Sequence, residues 1–220
     1  KEQSRQLKAL GINMNLAPVA DVLSNQYNTE VGNRAFGSDA KEVAAVVKTL
    51  VKNMQKQQIS ATLKQFPGSC DALGDTHRGA AETKQSIQEL RKKEFLPFES
   101  GMDADADAVM VSHLILTNVT DEKEPCSLSE RVISDILRDE LEYEGLILTD
   151  AMNMNSITDS YTSGEAAVKA IKAGVNIVVM PEDLGQAFKA VKRAVKDGKI
   201  EESVIDKAVR RILYTKLKRG

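Results

Sequence analysis

The segment Gly68–Gly79, GSCDALGDTHRG, carries His77, one of only two histidines in the chain, two residues after Asp75 and among three glycines. An aspartate that holds one imidazole nitrogen leaves the other to give and take a proton, and imidazole titrates near pH ~6.5 without special tuning. Asp-x-His is also an ordinary loop spacing, so the pair needs a reaction partner before it implies chemistry. Asp150, in GLILTDAMNM, is one candidate. It directly follows an apolar run and has no basic residue within five positions. Such a carboxylate can serve as a nucleophile or electrostatic partner, or simply cap the next turn.

Lys64 lies inside the apolar run ISATLKQF. Its stem is buried there, so its ammonium requires a carboxylate or a polar ligand, through a structural ion pair or a substrate contact. Arg34, in VGNRAFG, offers a rigid fork of donors suited to a pair of sugar hydroxyls or a carboxylate, or to pinning its own loop. His113 ends the run AVMVSH and, taken singly, reads as a satisfied core histidine rather than a ligand contact. No metal or cofactor is expected. The histidines and the cysteines, Cys70 and Cys126, have no ligand spacing, and DADAD at Asp103–Asp107 lacks the glycine and glutamate of a calcium loop. That run is expected to end a helix and enter a strand.

These side chains need a scaffold that gathers them. Five nearly continuous apolar runs predict strands buried on both faces: Asn13–Val19, Ile59–Phe66, Ala108–His113, Gly145–Asp150 and Val175–Met180. Amphipathic stretches alternate with them and predict helices over Ala40–Gln57, Ser86–Met102, Ser129–Leu141, Ser163–Ala173, Leu184–Val195 and Glu202–Lys218, with another at KEQSRQLKALG. Ser129 is the expected N-cap of its helix, and Gly174 closes the helix before the fifth strand. Alternation of this kind specifies parallel α/β architecture, which places its chemistry beyond the strand C-termini. Asp21, Lys64, His113 and Asp150 all fall there, as does the long connection from Pro67 to Lys84.

The chain has 220 residues, room for one sizeable core, and no linker divides it. A formal net charge of -2 gives no electrostatic case for nucleic acid or an anionic membrane. The longest apolar runs fall well short of the roughly 20 residues of a membrane helix. Small neutral ligands fit better. The first residue is lysine and the text opens within a helical pattern, so the natural start is expected upstream or removed, and with it any targeting signal.

In the order NMNLAPVADV, VGNRAFGSD, LKQFPGSCDALGDTH, VMVSHLIL, CSLSERVISDILRDELEYEGLILTDAMNM, AGVNIVVMPED and VRRILYTKLKRG, the sequence resembles glycoside hydrolase family 3, in its bacterial β-N-acetylglucosaminidase branch. The resemblance implies a (β/α)8 TIM-barrel-like domain that releases terminal β-linked N-acetylglucosamine with retention, through a covalent glycosyl-enzyme. It implies Asp150 as nucleophile, His77 as general acid/base and Asp75 as its orienting partner, with Arg34, Lys64, Gln65 and His113 around the sugar. The expected substrates are N-acetylglucosamine-containing glycans such as cell-wall fragments or chitooligosaccharides, in a bacterial cytoplasmic or secreted setting. GDTH separates this branch from the β-glucosidases, which place a glutamate acid/base elsewhere. A neutral base also repels an anionic acceptor less than a carboxylate does, which keeps phosphorolysis open beside hydrolysis.

Two departures qualify the resemblance. The family motif KHFPGHG reads KQFPGSC here, so Gln65 replaces a sugar-contacting histidine, and Ser69 and Cys70 replace His-Gly. The family's opening strand, ending in Asp-Gln-Glu-Gly-Gly-Arg, does not precede Lys1, which predicts a barrel incomplete at its N-terminus. A sugar-binding remnant without catalysis is the alternative from another functional class. A Schiff-base lyase using Lys64 is the third reading.

Overall fold

The structure, a computed structural model, describes residues 1–25, 28, 31–68, 72, 79–120 and 123–219. Its centre is a parallel sheet of four strands, β1 (Met14–Asn15), β2 (Ser60–Phe66), β4 (Ala108–Val111) and β6 (Leu146–Thr149), in that spatial order. A parallel pair, β3 (Glu82–Thr83) and β5 (Ile115–Leu116), stands apart. The helices are α1 (Glu2–Ala9), α2 (Ala40–Lys56), α3 (Ile87–Lys92), α4 (Phe95–Met102), α5 (Asn155–Thr158), α6 (Ser163–Lys172), α7 (Leu184–Lys196) and α8 (Glu202–Arg219), with a π-wound helix at Arg131–Glu140 and 3-10 turns at Gly32–Arg34 and Cys126–Leu128.

Side-chain alternation along the strands creates two apolar layers. Ala61 and Leu63 of β2, Val109 and Val111 of β4 and Ile147 of β6 face outward into the main core, against Val43, Val47 and Val51 of α2, Phe98 of α4 and Ile133 and Ile136 of the π-wound helix. Ala108, Leu146 and Leu148 face the other way and share a smaller cluster with Met14 from β1 and Ile177 and Val179 beyond β6. Residues from opposite edges of the sheet meet in this inner cluster, so the sheet is curled as in a barrel.

Helix α2 follows directly from its sequence. Asp39 caps it, accepting from the backbone N–H groups of Lys41 at 2.9 Å and Glu42 at 3.0 Å, and Val43, Val47, Val51 and Met54 repeat at helical spacing on its buried face. The expected helix Ser86–Met102 is instead two helices. Ser86 and Glu89 form a capping box for α3, and the break falls at Lys93 and Glu94. Pro97 explains it: proline has no N–H for the carbonyl of residue 93, and its ring crowds that carbonyl.

The fifth expected strand, Val175–Met180, is only loosely laddered, and it ends at Met180 in a left-handed conformation (φ 47). A single bridge joins Ile177 to Leu148. Side chains replace ladder partners on both sides: Asn176 Oδ1 accepts from Ile147 N at 2.9 Å, and Thr149 Oγ1 accepts from Val179 N at 3.0 Å. Gly174, at φ +107, turns the chain out of α6 into this segment as expected. Ser129 is extended (φ -91, ψ 120) immediately before its helix, and its carbonyl accepts from Ile133 N at 3.0 Å. No helix among the described residues is long and apolar enough to cross a membrane.

Candidate active site

The C-terminal ends of β2, β4 and β6 open on one side of the sheet, and an irregularity in β2 sets what is displayed there. Leu63 pairs with Val109 and Phe66 with Val111, so three steps on β2 match two on β4. The extra residue is a bulge, and it brings the consecutive side chains Lys64 and Gln65 both to the strand mouth. A second bulge in the β1 segment places Val19 opposite Lys64, which delivers Asp21 beneath the same spot. Asp21 is wholly buried, and its Oδ2 accepts the backbone N–H of Gln65 at 3.0 Å.

Asp150 continues β6 by one residue, donating its backbone N–H to Val111 O at 2.9 Å. Its carboxylate is half-buried and held at both oxygens. Oδ1 accepts from the N–H of Ala151 at 2.8 Å, and Oδ2 accepts from Nε2 of Gln65. An ionised carboxylate offers about four lone-pair directions, so two remain for other partners. This is an oriented, partly exposed carboxylate, the form required of a nucleophile.

Lys64 faces the same space and is half-buried. Burial depresses its pKa most, the nearby Arg34 guanidinium depresses it further, and the charges of Asp150 and Asp21 oppose both. Lys64 therefore reports the site's charge balance. Asp150→Asn should shift Lys64 titration to lower pH and Arg34→Gln should shift it to higher pH, both measurable by NMR on labelled lysine. Titration unmoved in both variants would mean that these groups do not form one electrostatic site. Arg34 itself is exposed on the Gly32–Arg34 turn. That turn is pinned by Val31, which packs on Val19 and donates its N–H to Asn28 Oδ1 at 3.0 Å.

His113 is placed behind Asp150, 1% exposed. Its Nε2 lies 3.0 Å from Ala151 O, so that nitrogen carries a proton, while Nδ1 accepts from Ser127 Oγ at 2.7 Å. The ring thus braces the residue after Asp150. Sequence reading found His113 but missed Ser127, whose distance along the chain gives no signal. It also missed Glu94, which is buried and accepts from Ser24 Oγ at 3.1 Å. Glu94 packs closely under Gly68, where the long connection after β2 begins. Asp75 and His77 lie outside the described residues, as do Ser69 and Cys70. Among the described residues no cluster of three His, Cys, Asp or Glu side chains could hold a metal ion.

The profile of the glycosyl hydrolase family 3 N terminal domain matches residues 1–215. The chain belongs to glycosyl hydrolase family 3. Its sheet and helices are the TIM-barrel-like α/β fold of that family's N-terminal domain. A family 3 β-N-acetylglucosaminidase structure from Paenibacillus sp. str. FPU-7 superposes with a TM-score of 0.96 at 38% identity, covering 99% of this family 3 chain and 42% of that one. A β-hexosaminidase of Stenotrophomonas maltophilia is 36% identical over 191 residues, 84% of this chain and 55% of that protein. A β-glucoside phosphorylase structure matches with a TM-score of 0.93 at 27% identity, over 98% of this chain and 40% of that chain. The family 3 domain thus spans about half the length of the curated β-hexosaminidases it matches.

Proposed function

We propose that this domain is the catalytic part of a retaining β-N-acetylglucosaminidase with Asp150 as its nucleophile. The observation that carries the reading is the Asp150 carboxylate at the mouth of β6, fixed at both oxygens and facing the same space as Lys64 and Gln65. Attack by one carboxylate oxygen forms a bond to the anomeric carbon as the bond to the aglycone oxygen breaks. His77, oriented by Asp75, gives that leaving oxygen its proton. It then takes a proton from water, whose oxygen displaces Asp150 from the sugar. Arg34, Lys64 and Gln65 hold hydroxyls of the terminal β-linked N-acetylglucosamine, and His113 fixes the backbone behind the nucleophile.

The defining experiment follows an aryl β-N-acetylglucosaminide by proton NMR and reads the first-formed anomer of the free sugar. Retention through two displacements gives the β-anomer first. An α-anomer as first product would overturn the double displacement. The likeness to a β-glucoside phosphorylase supports a second acceptor, so the same reaction in inorganic phosphate is followed by phosphorus NMR. A sugar 1-phosphate at the expense of free sugar would assign the domain to phosphorolysis.

A further inference from the structure

Gln65 stands where the family motif carries histidine, and its surroundings give it a task of its own. Its main chain is fixed from below by the buried Asp21 carboxylate at 3.0 Å. The residue is 3% exposed, and its side chain reaches across the strand mouth to donate from Nε2 to Oδ2 of Asp150. The amide has only one sensible orientation, because the reverse would set a carbonyl oxygen against a carboxylate. That orientation leaves Oε1 buried and, among the described residues, without a hydrogen-bond partner. A buried acceptor of this kind calls for a donor, and a sugar brings hydroxyl O–H groups to this spot.

We propose that Gln65 is a positioning residue that couples sugar binding to the nucleophile: Nε2 holds Asp150 while Oε1 accepts a hydrogen bond from one sugar hydroxyl. The proposal rests on the reading of Asp150 as nucleophile. The two ends of an amide are conjugated, so a hydrogen bond accepted at Oε1 makes the N–H a stronger donor to Asp150. An amide also carries no charge at any working pH. Its hold on Asp150 is therefore constant across the pH range in which an imidazole at the same place would gain or lose a proton.

The test uses Gln65→Glu and Gln65→Met, each checked for folding by its amide NMR spectrum. Gln65→Glu is nearly isosteric but faces Asp150 with a second carboxylate. The Asp150 carboxyl carbon, assigned through Asp150→Asn, should then titrate about one pH unit or more above its position in the parent protein. The acid limb of kcat/KM should move with it, and kcat should fall about a hundredfold. Gln65→Met keeps the length and removes both hydrogen bonds. Among mono-deoxy aryl β-N-acetylglucosaminides, the one lacking the sensed hydroxyl should lose kcat/KM in the parent but lose little more in Gln65→Met. An unmoved Asp150 titration in Gln65→Glu would overturn the positioning role. Full additivity of every deoxy substrate with Gln65→Met would overturn the coupling. If the parent turns over no glycoside, the glycosidase reading fails separately, and the carbon titration still decides whether Gln65 holds Asp150.

Discussion

Asp150→Ala is expected to lower turnover of an aryl β-N-acetylglucosaminide by about four orders of magnitude, equivalent to about 5.4 kcal/mol of transition-state stabilisation. On the proposed role the loss is large because the substitution removes the atom that would bond to the anomeric carbon, rather than one contact among several. It should leave the fold nearly unchanged. The backbone N–H of residue 150 keeps its bond to Val111 O, and the side chain lies at the strand mouth rather than in either apolar layer. A small anion such as azide can enter the space freed by the carboxylate. It should restore part of the rate with a substrate bearing a good leaving group, yielding an α-glycosyl azide from a single displacement. Turnover within tenfold of the parent would remove Asp150 from the nucleophile role. A full rate loss with no azide product would leave Asp150 essential but not as the attacking atom.

The contrast between what the sequence displays and what it conceals follows from the physics of each feature. Strands β2, β4 and β6 are legible because burial on both faces demands nearly continuous apolar runs, and Asp150 stands out because it ends such a run with a charge. The fifth run is equally apolar, yet its ladder is interrupted by the side chains of Asn176 and Thr149, which no hydropathy pattern reports. Pro97 does announce the break between α3 and α4, but four residues after the place where it falls. Strands β3 and β5, two residues each, pair across a long connection and have no periodicity to read. The same division runs through the site. Lys64 and Gln65 are visible as polar residues in a strand, whereas the bulge that brings both to Asp150 arises from register with β4, which only the folded sheet defines.

The other large effect lies at the opposite ends of the strands. Arg219→Ala is expected to destabilise the 220-residue chain by about 3 kcal/mol, lowering its thermal midpoint by about 6–12 °C. Asp107, just before β4, has a side chain only 2% exposed, and Arg219 at the end of α8 covers it with a fork of two hydrogen bonds, one of them 2.7 Å from Nη2 to Oδ1. The neighbourhood is tied together around that pair. Gln55 at the end of α2 accepts from Asp107 N at 2.9 Å and donates to Asp105 O at 2.7 Å, and Asp107 O accepts from Leu146 N at 2.9 Å. Removing the guanidinium leaves a buried carboxylate facing, among the cations of the described residues, only Lys218, whose Nζ is 3.3 Å from Asp107 Oδ1 and 2.6 Å from Asp105 Oδ2. This remaining partner keeps the expected loss at the lower end for a broken buried pair. Adding Asp107→Asn should recover much of the stability, because the charge left unpaired is then absent, and that non-additivity is the signature of a coupled pair. Catalysis should be unaffected at temperatures where both proteins are folded, since in a TIM-barrel-like domain the strand N-termini carry stability and the C-termini carry chemistry. A thermal midpoint within 1–2 °C of the parent, below the shift that even ~1 kcal/mol would produce, would show that α8 does not clamp this pole of the barrel.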